Sequence, residues 1–95
     1  IYGAGPQQDD LRGRAAQSPA ADRISLAGPT AAPETALAGA DIFALSSDTE
    51  QTPISLVEAM ASGLPALAPD VGDIRLMVSA ANAAFIPARG DEDAY

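Results

Sequence analysis

Short apolar runs alternate with helical patterns along this chain of 95 residues. After Gln7, the spacing of Leu11 and Ala15 predicts one apolar helical face, and the helix stops where Ser18 precedes Pro19. Strands that alternate with helices are typical of βαβ units and a parallel sheet. The predicted strands cover 1–2, 24–27, 42–45, 66–68 and 84–86, and the predicted helices cover 7–17, 33–39, 53–62 and 72–81.

The predicted fold class is therefore α/β, with a parallel sheet and helices on both of its faces. The 42–45 strand is apolar at every position, so we expect both of its faces to be buried. The first strand starts at residue 1, and the acidic segment 91–93 has the composition of a first helical turn. Both ends are therefore expected to fall inside elements of one partial domain.

Composition limits the chemistry that this chain can perform. Apolar residues make up 47% of it and aromatic residues only 4%, so alanine forms much of the core and the core is expected to be thin. The chain contains neither Cys nor His. That excludes a disulfide framework, a thiol nucleophile, a zinc cluster of Cys and His ligands, and a histidine general base.

The formal net charge of −8 argues against nucleic acid and anionic membranes as partners. No apolar run is long enough to span a bilayer, and no charged-then-apolar leader opens the sequence. We therefore expect a cytoplasmic protein.

The start of the 53–62 helix is a candidate anion site. Thr52 is expected to be the N-cap and Pro53 the first helical residue, so Ile54 and Ser55 carry the first free backbone N–H groups. The first turn contains no acidic residue, and a helix N-terminus of this kind can receive a phosphate. The alternative is that Thr52 caps the helix and water satisfies the remaining donors.

Two glutamates flank this helix start. Glu50 lies in the polar loop after the 42–45 strand, where ligands bind in parallel sheets, and Glu58 lies within the helix. Such a pair could flank a ligand of nucleotide-sugar length and accept hydrogen bonds from its hydroxyls. The alternative for Glu58 is an ordinary solvated side chain.

The sequence resembles the C-terminal domain of family 4 retaining glycosyltransferases, which have the GT-B fold and carry two glutamates separated by seven residues. The resemblance rests on 40–47, Glu50, Pro53, the run Glu58-Ala59-Met60-Ala61-Ser62-Gly63-Leu64-Pro65, and Asp70-Val71-Gly72. The upstream segments that also fit are 3–6 and 24–28. The implied fold is a truncated Rossmann-like half of a GT-B enzyme.

The resemblance implies a role for each matching residue. Glu50, the catalytic residue, would contact hydroxyls of the transferred sugar, assisted by backbone N–H groups of Gln51 and Thr52. Ile54 and Ser55 would bind the diphosphate, and Glu58 would bind the ribose hydroxyls. Gly28 and Pro29 would border the base, and Gly3 and Gly5 would leave the backbone open near the cleft.

The resemblance also implies how the chain fits into an enzyme. Residues 1–95 would be part of a donor-binding domain that takes a nucleoside-diphosphate sugar and needs no metal or other cofactor. The start of that domain and an N-terminal acceptor-binding domain are expected to be missing, so the isolated chain is expected to be inactive. Any membrane association would be peripheral and would belong to the full enzyme.

Several positions depart from the family pattern. Asp73 follows Gly72 where many members have a second glycine, and Gln51-Thr52 replaces a more common Gly-Phe. None of the five arginines matches the family's basic pair. Two other functions stay open: a GT-B nucleotide-sugar epimerase, and a non-catalytic α/β remnant that binds a nucleotide or a protein.

Overall fold

The computed structural model describes residues 1–91 and residue 93. The chain divides into two compact units, of which the first is Ile1–Ala32 and the second begins at Pro33.

The first unit contains helix α1, Gln8–Gln17, followed by a 3₁₀ turn at Ala21–Arg23. The predicted 7–17 helix is confirmed. Two exposed ion pairs within α1 join Arg12 to Asp9 at 2.9 Å and Arg14 to Asp10 at 3.1 Å. Exposed pairs of this kind add little stability, so the helix depends mainly on its backbone hydrogen bonds.

The predicted 24–27 strand does not form. What remains is parallel backbone pairing with the start of the chain: the Ala27 N–H donates to the Ile1 carbonyl at 2.9 Å, and the Gly3 N–H donates to the Gly28 carbonyl at 2.9 Å. A single bridge pairs Tyr2 with Gly28. The pairing is too short to make a regular ladder.

The second unit is built around a parallel two-stranded sheet. Strand β1 pairs with β2 in the register Phe43↔Ala66 and Ala44↔Leu67, and α3 connects the two strands. The predicted α/β class is therefore confirmed. The elements in chain order are α2 (Pro33–Ala38), β1 (Phe43–Ala44), α3 (Ile54–Ala61), β2 (Ala66–Leu67), α4 (Ile74–Met77) and a 3₁₀ turn (Ala83–Phe85).

A small core holds this unit together. Helix α3 buries Leu56 and Ala59, which lie three residues apart on one face. The largest fully buried side chains are Leu56 and Ile74. The buried cluster consists of Leu56, Ala66, Ala68, Val71, Ile74 and Ile86.

The expectation that both faces of the 42–45 strand are buried is wrong. Ile42 is 63% exposed and Ala44 is also exposed, whereas Phe43 and Leu45 are half-buried against the core. Successive side chains of a strand point to opposite faces, and only the face that bears Phe43 and Leu45 packs on the core of this unit.

The predictions for the last third of the chain are also wrong. The predicted 72–81 helix shrinks to the single turn of α4, and the predicted 84–86 strand is a 3₁₀ turn. The Asn82 side chain explains the lost strand, because its amide bonds both the N–H and the carbonyl of Ala66 at 2.8 Å each. It thus takes the place of a neighbouring strand beside β2. The predicted helical turn at 91–93 lies partly outside the described residues, since Glu92 is not described.

None of the helices in the described part of the chain is both long and apolar enough to cross a membrane.

Candidate functional site

Helix α3 begins one residue later than predicted. Pro53 has an extended backbone (φ −68°, ψ 115°) and occupies the N-cap position, and the helix starts at Ile54. No side chain caps it, so the expectation that Thr52 is the N-cap is wrong. Proline at the N-cap offers no side-chain acceptor, which leaves the first turn without the usual capping bond.

The backbone donors at this helix start are exposed. The Pro53 carbonyl accepts hydrogen bonds from Leu56 at 3.1 Å and from Val57 at 3.4 Å. The N–H groups of Ile54 and Ser55 have no partner among the described residues, and both residues are exposed, Ile54 by 74%. The first turn contains no acidic residue. Two unpaired N–H groups therefore lie at the positive end of the helix dipole.

Thr52 bonds to a distant residue instead of capping α3. Its hydroxyl donates to the carboxylate of Asp73 at 3.3 Å, and the Asp73 N–H donates to the Gln51 carbonyl at 3.0 Å. Asp73 itself precedes α4 but makes no capping bond with its side chain. The turn before α4 is thus fastened to the loop that carries Glu50.

Gly72 packs directly on the same loop. Its φ of +57° lies in the left-handed region, and a Cβ built there would stand 2.6 Å from the Gln51 carbonyl oxygen and would overlap the Glu50 carbonyl. Only glycine permits this approach. The backbone at Glu50 and Gln51 is therefore held by the close packing of Gly72 and by the hydrogen bond from the Asp73 N–H to the Gln51 carbonyl.

The two glutamates occupy the positions that the sequence predicts. Glu50 is half-buried in the loop after β1, and Glu58 is half-buried on α3. Neither side chain makes a hydrogen bond or an ion pair with another described residue, so both carboxylates are available to a ligand. A wide concavity of about 430 Å³ borders this loop and is lined by Thr49, Glu50, Gln51 and Thr52.

Glu58 lies about one turn after the exposed donors. It follows Ile54 by four residues, which is just over one turn or roughly 6 Å along the axis. Long helical side chains generally lean toward the helix N-terminus, and this tendency favours a Glu58 carboxylate near the first turn of α3. A ligand seated on the free N–H groups would lie within reach of this carboxylate.

The four remaining candidate residues lie in the first unit. Gly28 has a φ of +77°, and its carbonyl accepts the hydrogen bond from Gly3. Gly3 and Gly5 line a cavity of about 230 Å³ beside the start of α1. Pro29 is exposed and follows the bridge. The predicted roles of these residues in donor binding stay predictions.

Carboxylates do not cluster as metal ligands in the described residues. No three of them, which are the only candidate ligands in a chain without Cys and His, come together in a way that would hold a metal ion.

A third cavity, called the strand-end cavity below, lies outside the predicted site. It measures about 340 Å³ and is lined by residues of 46–48, 69–71 and 87–91, at the carboxyl ends of β1 and β2. The sequence predicts no binding site at these residues. The segment 87–91 follows a 3₁₀ turn, not the predicted strand, and reaches the ends of β1 and β2 through the hydrogen bond from the Asp70 N–H to the Pro87 carbonyl.

Comparison with known proteins supplies the family. The full sequence, residues 1–95, matches the sequence model of the family described as "Glycosyl transferases group 1". No curated protein sequence matches the chain.

Among solved structures, the chain is similar to the crystal structure of the GtfA/B complex, with 30% identity and a TM-score of 0.79. The match covers 97% of this chain but only 18% of the chain that it matches. This similarity is consistent with a Rossmann-like fragment of a GT-B glycosyltransferase.

Proposed function

Because the chain belongs to the glycosyl transferases group 1 family, we propose that it forms the donor-binding part of a retaining glycosyltransferase. The substrate would be a nucleoside-diphosphate sugar, whose sugar is transferred with its anomeric configuration kept. The observation that carries this proposal is the uncapped start of α3 between Glu50 and Glu58.

The diphosphate would bind at the free N–H groups of Ile54 and Ser55. Backbone donors and the helix dipole together favour an anion at this position, and the Ser55 hydroxyl adds a third donor. The chain as a whole carries a charge of −8, which opposes a polyanionic ligand. The attraction between the diphosphate and the start of α3 therefore has to exceed the repulsion from the net negative charge of the chain. Basic residues in the remainder of the enzyme would neutralise the diphosphate further.

The arginines of the second unit do not fill that role. Arg75 donates to the Asp70 carboxylate at 2.6 Å and to the Ile86 carbonyl, so its guanidinium is engaged in the fold. Arg89 lines the strand-end cavity. This supports the view that the cationic partners of the diphosphate lie outside the second unit.

The two glutamates would hold the two ends of the donor. Glu58, which lies one turn into α3, would accept hydrogen bonds from the ribose hydroxyls. Glu50 would accept hydrogen bonds from hydroxyls of the transferred sugar, with the backbone N–H groups of Gln51 and Thr52 beside it. The packing of Gly72 and Asp73 on this loop would keep it in one conformation during transfer.

Catalysis would depend mainly on position and charge. The loop and the helix start would align the donor with the acceptor, and the α3 N–H groups would stabilise the negative charge that develops on the departing diphosphate. The chain spans 18% of the GtfA/B chain that it matches. We therefore propose that transfer requires an acceptor-binding domain beyond these 95 residues and that the isolated chain is inactive.

Calorimetric titration of the intact enzyme with UDP, GDP and ADP tests the nucleotide half of the proposal. We expect one of them to bind, and Glu58→Ala to weaken that binding about tenfold, as for the loss of a hydrogen bond to a charged group. The matched control is Glu34→Ala in α2. Absence of binding, or equal binding by both variants, refutes the nucleotide site.

Assay of the intact enzyme tests the chemistry. A glycoside with the anomeric configuration of the donor is the expected product, and Glu50→Gln is expected to abolish its formation. An epimerised free sugar as the product would refute transfer in favour of an epimerase.

A further inference from the structure

Hydrogen bonds join the segments that line the strand-end cavity of about 340 Å³. The Asp70 N–H donates to the Pro87 carbonyl at 3.0 Å, and Arg75 bridges Asp70 and the Ile86 carbonyl. On the other side, the Leu45 N–H donates to the Leu67 carbonyl at 2.9 Å, which sets the end of β1 beside the end of β2. The cavity is therefore a feature of the folded unit and is not a gap between loose loops.

Its position is the one where parallel sheets bind ligands. The lining segments 46–48 and 69–71 begin two residues after β1 and β2 end, at the carboxyl ends of both strands. A volume of about 340 Å³ is at the small end of the range for ligand sites, which runs from about 300 to 1,000 Å³.

Its lining combines an apolar surface with polar side chains that lack partners. Pro69, Val71 and Pro87 supply apolar surface. Polar side chains that make no hydrogen bond or ion pair within the described part of the chain are Ser46, Ser47, Asp48 and Arg89.

The chemistry of this lining selects the ligand class. Two carboxylates, Asp48 and Asp91, stand against one guanidinium, Arg89, so the cavity does not favour an anion such as phosphate. Among the described residues, no third carboxylate joins these two to form a set of metal ligands. A sugar ring fits, because its C–H face can lie on proline and valine while its hydroxyls both donate to the Asp48 carboxylate and accept from arginine and serine.

We propose that this cavity binds a neutral sugar ring, which belongs to the acceptor. The assignment to the acceptor rests on the proposed glycosyltransferase function. The cavity adjoins the donor loop on two sides: Asp48 precedes Glu50 by two residues, and Val71 precedes Gly72, which packs on Glu50. A sugar held there would present a hydroxyl beside the donor sugar, in addition to whatever contacts a second domain makes.

The test is amide-resolved NMR of the full chain, titrated separately with glucose, galactose, mannose and N-acetylglucosamine. At least one sugar is expected to shift the amides of 46–48 and of Gly90, without shifting those of α1. Inorganic phosphate is expected to leave these amides unchanged. Failure of all four sugars to shift them, or a shift with phosphate instead, overturns the proposal.

Variants separate this site from the donor site. Asp48→Ala and Arg89→Ala are each expected to weaken sugar binding about tenfold, the loss for one hydrogen bond to a charged group, whereas the exposed control Arg23→Ala leaves it unchanged. Unchanged binding by both cavity variants overturns the proposal.

Saturating UDP, GDP or ADP distinguishes the two sites. The sugar is expected to stay bound, and its displacement overturns a separate site. Sugar binding by the chain, together with no nucleotide binding by the intact enzyme, would refute the proposed donor function while the sugar site stands. Nucleotide binding without sugar binding would refute the sugar site and leave the proposed donor function standing.

Discussion

Gly72 lies so close to Glu50 that a single methyl group on its Cα would overlap the Glu50 carbonyl. The contact joins residues 22 positions apart in the sequence. It ties the conformation of the loop that carries the candidate catalytic glutamate to the turn that begins α4. The loop can therefore be displaced by a change that does not touch the glutamate side chain.

Gly72→Ala is expected to destabilise the fold and to shift the Glu50 loop. The left-handed backbone costs about 1 to 2 kcal/mol for alanine, and the overlap adds about 1 to 3 kcal/mol. The matched control is Gly63→Ala, which has a φ of +77° but no atom within 4 Å of the added Cβ. Urea denaturation of both variants measures the difference, and equal free energies of unfolding would refute the close contact.

Asp73 is expected to act as a positioning residue for the donor sugar. The contribution of the sugar to binding is measured by a ratio: the dissociation constant of the best-binding nucleoside diphosphate divided by the dissociation constant of its glucose ester. A higher ratio means that the sugar adds more affinity. Asp73→Ala and Thr52→Val should each lower this ratio about two- to tenfold, since one hydrogen bond contributes about 0.5 to 1.5 kcal/mol. Effects on the diphosphate itself largely cancel in the ratio.

Two comparisons check this interpretation of Asp73. Asp73→Asn keeps an oxygen that accepts the Thr52 hydroxyl, so it should preserve the ratio. The double variant of Thr52 and Asp73 should lower the ratio no further than either single variant. A ratio that falls equally in Asp73→Asn and Asp73→Ala would show that the hydrogen bond has no positioning role.

Asn82→Ala is expected to destabilise the second unit by about 1 to 3 kcal/mol, because it leaves buried backbone groups without partners. The Ala66 N–H and carbonyl both bond to the Asn82 amide, and Ala66 is almost fully buried. The control is Gln17→Ala at the exposed end of α1. If urea denaturation gives Asn82→Ala the same free energy of unfolding as the parent chain, the amide does not replace a strand at this edge.

The elements that local signals specify were predictable from the sequence. Helix α3 is an apolar run that ends before Gly63, and the structure gives it within one residue of each predicted end. The position of Glu50 after a strand and of Glu58 on the helix followed from the same pattern. These features depend on neighbours within a few residues, which periodicity captures.

The predictions that are wrong concern residues whose structure depends on hydrogen-bond partners far away in the sequence. Thr52 is a good N-cap by residue type, but its hydroxyl bonds to Asp73, which lies 21 residues away. The 84–86 segment has the composition of a strand, but Asn82 occupies the edge of β2 from 16 residues away. Non-local hydrogen bonds of this kind override local propensity and leave no periodic signal.

The most direct test of the donor site is amide-resolved NMR of the chain titrated with UDP, GDP and ADP. Our account predicts that the nucleotide that binds produces its largest shifts at the N–H groups of Ile54 and Ser55, and that Glu58→Ala weakens the binding. Nucleotide binding that leaves these two amides unshifted would contradict it.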